Sequence, residues 1–188
     1  LTYEEKINMF SGAGIQRFGI RSAGGTEAIH GIVQGGPAWS QNIKDQVTTI
    51  FPQGYGLGET WDPELIHQVG STMAYEARYL FQSPKYQRCA LILWAPNADM
   101  GRDIRWGRTE ECYGEDPFLT GSLTVAMVKG IQGDNAKYWK GASLMKHFLA
   151  NSNESGRAET SSDFDSAIFN EYYAYSFRRG IQDGGSNA

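Results

Sequence analysis

Apolar runs and amphipathic stretches alternate along the chain. Thr2-x-x-Glu5 precedes Ile7, Met9 and Phe10. In such a capping box the hydroxyl and the carboxylate each satisfy a backbone N–H, which predicts a short opening helix. Asp62-Pro63-Glu64-Leu65 combines a capping Asp, a Pro tolerated at the first helical position and an acid at the positive helix end. Ile66, Val69, Met73, Ala77 and Leu80 then recur at helical spacing. Asp116-Pro117 repeats this chemistry ahead of Leu119, Leu123, Met127 and Ile131, with Gly133 as the stop. Residues 89–95 are apolar throughout and end at Pro96, as expected of a strand buried on both faces in a parallel sheet. Further strands are expected over 142–148 and 24–29. Ser162 is the expected cap of a last helix carrying Phe164, Ile168, Tyr172 and Tyr175.

Strand–helix alternation of this kind marks a parallel α/β fold. The units are too few to close a barrel, which takes about 250 residues. The 188 residues are therefore expected to be one incomplete piece of a larger domain, without an internal linker or repeat. Polar residues gather just after the apolar runs, the end at which barrels carry their chemistry.

The composition, 40% hydrophobic and 20% charged, fits a globular domain. A net charge of −4 argues against wholesale binding to nucleic acid or acidic membrane surfaces. No apolar stretch approaches the roughly 20 residues of a membrane helix. Cys89 and Cys112 form neither a metal spacing nor a disulfide framework, and Cys89 is expected in the core. No metal or cofactor is implied. The compartment stays open, with the periplasm or the cell exterior favoured over the cytoplasm, and self-association is left open too.

Three segments carry candidate chemistry. Residues 97–117 crowd Arg102, Arg105 and Arg108 among several carboxylates and Trp106, between a strand and a helix. Guanidinium groups suit such a place because their fixed donors hold carboxylates or hydroxyls in pairs. Lys146-His147-Phe148 ends an apolar strand, where a Lys and a His are costly unless hydrogen-bonded. Both reach one ligand only if the backbone bends, since adjacent strand residues face opposite ways. Glu27, between Gly25 and Gly31, supplies a carboxylate able to accept two hydroxyl hydrogen bonds. Each has a plainer reading: a solvated loop, a core His beside a salt-bridged Lys, a surface Glu. Gly54-Tyr55-Gly56-Leu57-Gly58 lacks the full dinucleotide pattern and a strand before it, and is discounted. His67 is expected to face solvent.

Together these segments resemble glycoside hydrolase family 3. The motifs are Glu27-Ala28-Ile29-His30-Gly31, Thr49-Ile50-Phe51-Pro52-Gln53, Asp62-Pro63-Glu64-Leu65, Ala95-Pro96-Asn97, Arg102-Asp103-x-Arg105-Trp106-Gly107-Arg108, Glu115-Asp116-Pro117 and Lys146-His147-Phe148, in the family's order. The resemblance implies the N-terminal portion of a (β/α)8 TIM-type barrel, followed in the parent protein by a second α/β sandwich domain. It implies a retaining exo-β-glycosidase, with a β-D-glucosidase first, a β-xylosidase as alternative, and a non-catalytic carbohydrate-binding relative as the outside case. The mechanism implied is double displacement by an Asp nucleophile and a separate acid/base.

By the same resemblance Glu27, Arg108, Lys146 and His147 hold hydroxyls of the terminal sugar. The nucleophile and the acid/base are both expected beyond Ala188, so no catalytic residue is assigned within this chain, and the chain alone is expected to be inactive. Asp99, Asp103 and Glu110 are expected to be ion-pair partners. Glu27 departs from the Asp of many β-glucosidases and matches the Glu of many β-xylosidases, and Ile104 stands where many relatives have Pro. The implied partners are a glycoside or oligosaccharide and the rest of the same polypeptide.

Overall fold

A computed structural model describes residues 1–20, 24–33, 48–85 and 90–188. Helix α1 (Tyr3–Phe10) opens the chain through the expected box: Thr2 accepts from the Glu5 N–H and Glu5 accepts from the Thr2 N–H. Strand β1 (Gly25–Glu27) follows, then α2 (Gly54–Gly58), α3 (Pro63–Gln82), β2 (Ile92–Trp94), α4 (Pro117–Gln132) and β3 (Ala142–Ser143). The chain closes with α5 (Ser166–Ile168), a π-helical turn (Phe169–Tyr173) and α6 (Tyr175–Gln182).

The three strands form one parallel sheet in the order β1-β2-β3, with Gly25 opposite Ile92 and Ile92 opposite Ala142. Parallel neighbours in chain order, with α3 and α4 as the intervening crossovers, are successive turns of a (β/α) winding. Helices α3 and α4 start where Asp62 and Asp116 accept backbone N–H groups. Their apolar faces meet each other and the sheet: Ile66, Met73, Leu80, Leu123, Met127 and Ile131 are fully buried with Leu93 of β2. Each such side chain contributes about 1.5–3 kcal/mol relative to exposure. The helices approach so closely that a Cβ on Gly130 would sit 2.2 Å from the His67 carbonyl oxygen, so a residue larger than glycine would push them apart.

Several expectations are corrected here. The strands are shorter than the apolar runs: β2 keeps only Ile92–Trp94 and β3 only Ala142–Ser143. Beyond them the pairing narrows to a one-residue backbone bridge between Asn97 and Lys146, and the Ser143 hydroxyl adds a contact to the Ala95 carbonyl at 2.6 Å. Asp165, rather than Ser162, caps the last helical segment, accepting from the Ile168 N–H at 2.8 Å. Ser162 instead donates to the Ala150 carbonyl. His67 is half-buried rather than solvent-facing. Residues 54–58 form a short helix whose glycines admit a backbone neighbour: a Cβ on Gly58 would lie 1.9 Å from the Tyr113 carbonyl oxygen. Cys89 lies outside the described residues.

Candidate active site

The C-terminal ends of the three strands and the segments following them surround a hollow of about 710 Å³. Glu27 ends β1 and contributes its carboxylate. Lys146 and His147 follow β3 after it has left the ladder, joined by a cis peptide bond, and both side chains line the hollow. Arg108 arrives from the charged segment after β2, completing the set of four. Trp94 and Leu144 add apolar wall.

The polar groups are tied in pairs. Lys146 Nζ donates to Glu27 Oε2 at 2.7 Å. Arg108 grips Glu111 through Nε and Nη2, both at 2.7 Å, the two-pronged geometry that suits a guanidinium. The backbone N–H of His147 donates to Asp99 Oδ2 at 3.0 Å, and its Nδ1 lies 2.9 Å from the same oxygen. Asn97, fully buried, braces this floor: its Oδ1 accepts from the Asp99 N–H at 2.8 Å and its amide reaches Glu111 at 3.3 Å. A short backbone bridge between Asn97 and Lys146 joins the segments after β2 and β3.

Electrostatics follow from these contacts. Burial pushes Glu111 up, but Arg108, helped by Asn97 and Lys146, outweighs it and holds the carboxyl below its ordinary value. The hydrogen bond to Glu111 raises Arg108 against the opposing effect of burial. Asp99 goes the other way, because desolvation raises it more than His147 lowers it. Burial also pushes up the Cys112 thiol, leaving it inert as a nucleophile.

The sequence named Glu27, Arg108, Lys146 and His147, and the structure brings all four together. Of the expected ion-pair partners, Asp103 meets Arg105, whereas Asp99 is hydrogen-bonded to His147. Glu110 is exposed and makes no ion pair among the described residues; the partner is Glu111. Arg102 and Arg105 line a neighbouring hollow of about 520 Å³ instead. The carboxylates that line the main hollow are Glu27 and Glu111, and each is paired with a cation.

Two further residues were not foreseen. Glu154 accepts from Trp106 Nε1 at 3.1 Å and from Arg157 at 3.0 Å, and lies 4.0 Å from Arg108. Arg157 reaches the rim of the main hollow. The only signal for them in the sequence is their i,i+3 spacing, common in any charged turn. Among the described residues no group of three or more His, Cys, Asp or Glu side chains is placed to hold a metal.

A family model described as the glycosyl hydrolase family 3 N terminal domain matches residues 4–188. The chain is 32% identical to a β-glucosidase of Rhizobium radiobacter, covering 100% of this chain and 22% of that protein. It is 30% identical to a probable β-D-xylosidase of Arabidopsis thaliana, covering 98% of this chain and 26% of the relative. Among solved structures, a family 3 exo-β-xylosidase in complex with a xylobiose aziridine probe superposes with a TM-score of 0.81 at 25% identity, over 99% of this chain and 25% of that one. The chain thus spans about a quarter of the length of these proteins, and its sheet is part of a TIM-type barrel.

Proposed function

Because the chain belongs to glycosyl hydrolase family 3, we propose that the whole protein is a retaining, exo-acting β-glycosidase with β-D-glucosides as its first substrate class. One observation carries this reading: Glu27, Arg108 and the adjacent Lys146 and His147, from three separate segments of the chain, line a single hollow. Lys146 and Glu27, 2.7 Å apart, offer a donor and an acceptor side by side, the pairing that two vicinal hydroxyls need. Arg108, oriented by Glu111, and His147, oriented by Asp99, extend the same grip around a pyranose ring.

Retaining hydrolysis uses a carboxylate nucleophile and a carboxylic acid about 5–5.5 Å apart. Glu27 and Glu111 are both engaged by cations, and Glu111 is held ionised, which unfits it to protonate a leaving group. On this reading the two catalytic carboxylates belong to the part of the family's length that this chain does not span. This chain binds and orients the terminal sugar.

One feature favours a second reading, a β-xylosidase: Glu27 is one methylene longer than the Asp of many β-glucosidases of the family, and the longer side chain would crowd a hexose CH2OH. Assay of the full-length protein on aryl β-glucosides and β-xylosides tests both. Turnover of either supports the glycosidase, and no turnover of any β-glycoside overturns it. Glu27→Asp should raise the glucoside-to-xyloside ratio of kcat/KM by about 10-fold, the scale of one methylene in a pocket. An unchanged ratio removes the argument from side-chain length.

A further inference from the structure

Asp99 is held in a way that stability alone does not explain. Its side chain is 1% exposed. One oxygen, Oδ2, takes both the backbone N–H and the ring Nδ1 of His147. The other, Oδ1, is buried without a hydrogen-bond partner among the described residues. A sealed, half-satisfied carboxylate is a net cost to the fold, since burial without full pairing forfeits hydration. Its backbone is nevertheless fixed from both sides. Asn97 accepts the Asp99 N–H, while the neighbouring Ala98 donates to the Lys146 carbonyl and accepts from the Ser176 hydroxyl. The acceptor is thus aimed at one imidazole.

The proton on that ring follows from the partners. As a carboxylate Asp99 can only accept, so its Oδ2 takes both the backbone N–H and the ring, and Nδ1 carries the hydrogen. A neutral ring then presents Nε2 as a bare lone pair. His147 lines the hollow that we read as the sugar site. We propose that Asp99 is a positioning residue that locks neutral His147 in its Nδ1–H tautomer, so that Nε2 meets the sugar as a hydrogen-bond acceptor. The inference rests on the glycoside reading of that hollow and deepens it. Arg108 and Lys146 can only donate, whereas Glu27 and His147 both accept. Each sugar hydroxyl, which donates one hydrogen and accepts others, then finds both kinds of partner.

Neutron diffraction on deuterated crystals of the full-length protein at alkaline pH reads the tautomer directly. Deuterium on Nδ1 and none on Nε2 of His147 is expected; deuterium on Nε2 overturns the proposal. A kinetic cycle on an aryl β-glycoside tests the consequence. Asp99→Ala should lower kcat/KM about 100-fold, the cost of a misplaced binding group, and Asp99→Asn, which keeps an acceptor, should recover most of it. In a His147→Ala background Asp99→Ala should cost nothing further. An equal loss in both backgrounds overturns the proposal, because it marks Asp99 as a structural support only. If Asp99→Ala does not fold, the tautomer and the Asp99→Asn rescue still decide. A protein with the expected tautomer that hydrolyses no β-glycoside refutes the functional reading while leaving the Asp99–His147 assignment standing.

Discussion

The hollow at the C-terminal ends of the strands and the one at their N-terminal ends differ little in size, about 710 and about 700 Å³. Their chemistry differs much more. The first gathers two carboxylates, three cations and an imidazole, each tied to a partner, across segments for Lys146 with Glu27 and His147 with Asp99 and within one turn for Arg108 with Glu111 and Arg157 with Glu154. The second, between Arg78 and Trp139, holds cations and aromatic rings but, among the described residues, no carboxylate. Its Arg78 donates to the backbone carbonyls of Trp139 and Lys140, and so ties α3 to the approach to β3. Volume does not distinguish the two hollows. Convergent donors and acceptors do, because a polyhydroxy ligand needs both kinds at once.

That contrast can be broken by substitution. At the C-terminal end, Lys146→Ala in the full-length protein should lower kcat/KM on an aryl β-glycoside by about 100-fold, the scale of one lost charge-assisted hydrogen bond. Steady-state kinetics would show it, and a loss under threefold would take Lys146 out of the sugar site. At the other end, Arg78→Ala should leave kcat/KM within about twofold and cost about 1–2 kcal/mol of stability through two lost carbonyl contacts. Urea unfolding measures the second quantity. An activity loss matching that of Lys146→Ala would erase the distinction between the two ends.

A smaller effect sharpens the contrast within the hollow that we read as the sugar site. Glu111 has a lowered pKa when folded, so its pair with Arg108 adds stability above the ordinary value of 4.5 that is lost as pH falls through the folded value. Asp99 has a raised pKa, so ionising it costs the folded state stability as pH rises from 3.8 through the folded value. Unfolding midpoints across pH 3–7 should therefore move in opposite directions: at neutral pH Glu111→Gln is less stable than wild type and Asp99→Asn more stable. Both differences should shrink toward the acid end. Shifts of the same sign would refute the opposed environments of these two carboxylates.

Much of this architecture was legible in the sequence. Helices α3 and α4 announce themselves because cap, proline and apolar spacing agree at both starts, and local agreement of that kind survives folding. The strands were placed but drawn too long, since an apolar run records burial and not the ladder: residues 144–147 are enclosed wholly or in part, yet they form no strand and keep a one-residue bridge, Lys146 to Asn97. Lys146 and His147 stood out because a Lys and a His at the end of an apolar run need partners. The partners themselves could not be read. Asp99 lies 48 residues before His147 and Glu27 lies 119 before Lys146, separations that only the winding of the chain closes. Glu111 was passed over for Glu110 because one residue in a short 3-10 turn (Thr109–Glu111) decides which carboxylate faces inward, and no periodicity reports that.

The most direct test of the account is a crystal structure of the full-length protein with glucose or xylose bound. Ring hydroxyls should lie within about 3.2 Å of Glu27, Arg108, Lys146 and the Nε2 of His147, at the C-terminal rim of the sheet. A sugar seated away from those four side chains, against Trp139 or elsewhere, would contradict it.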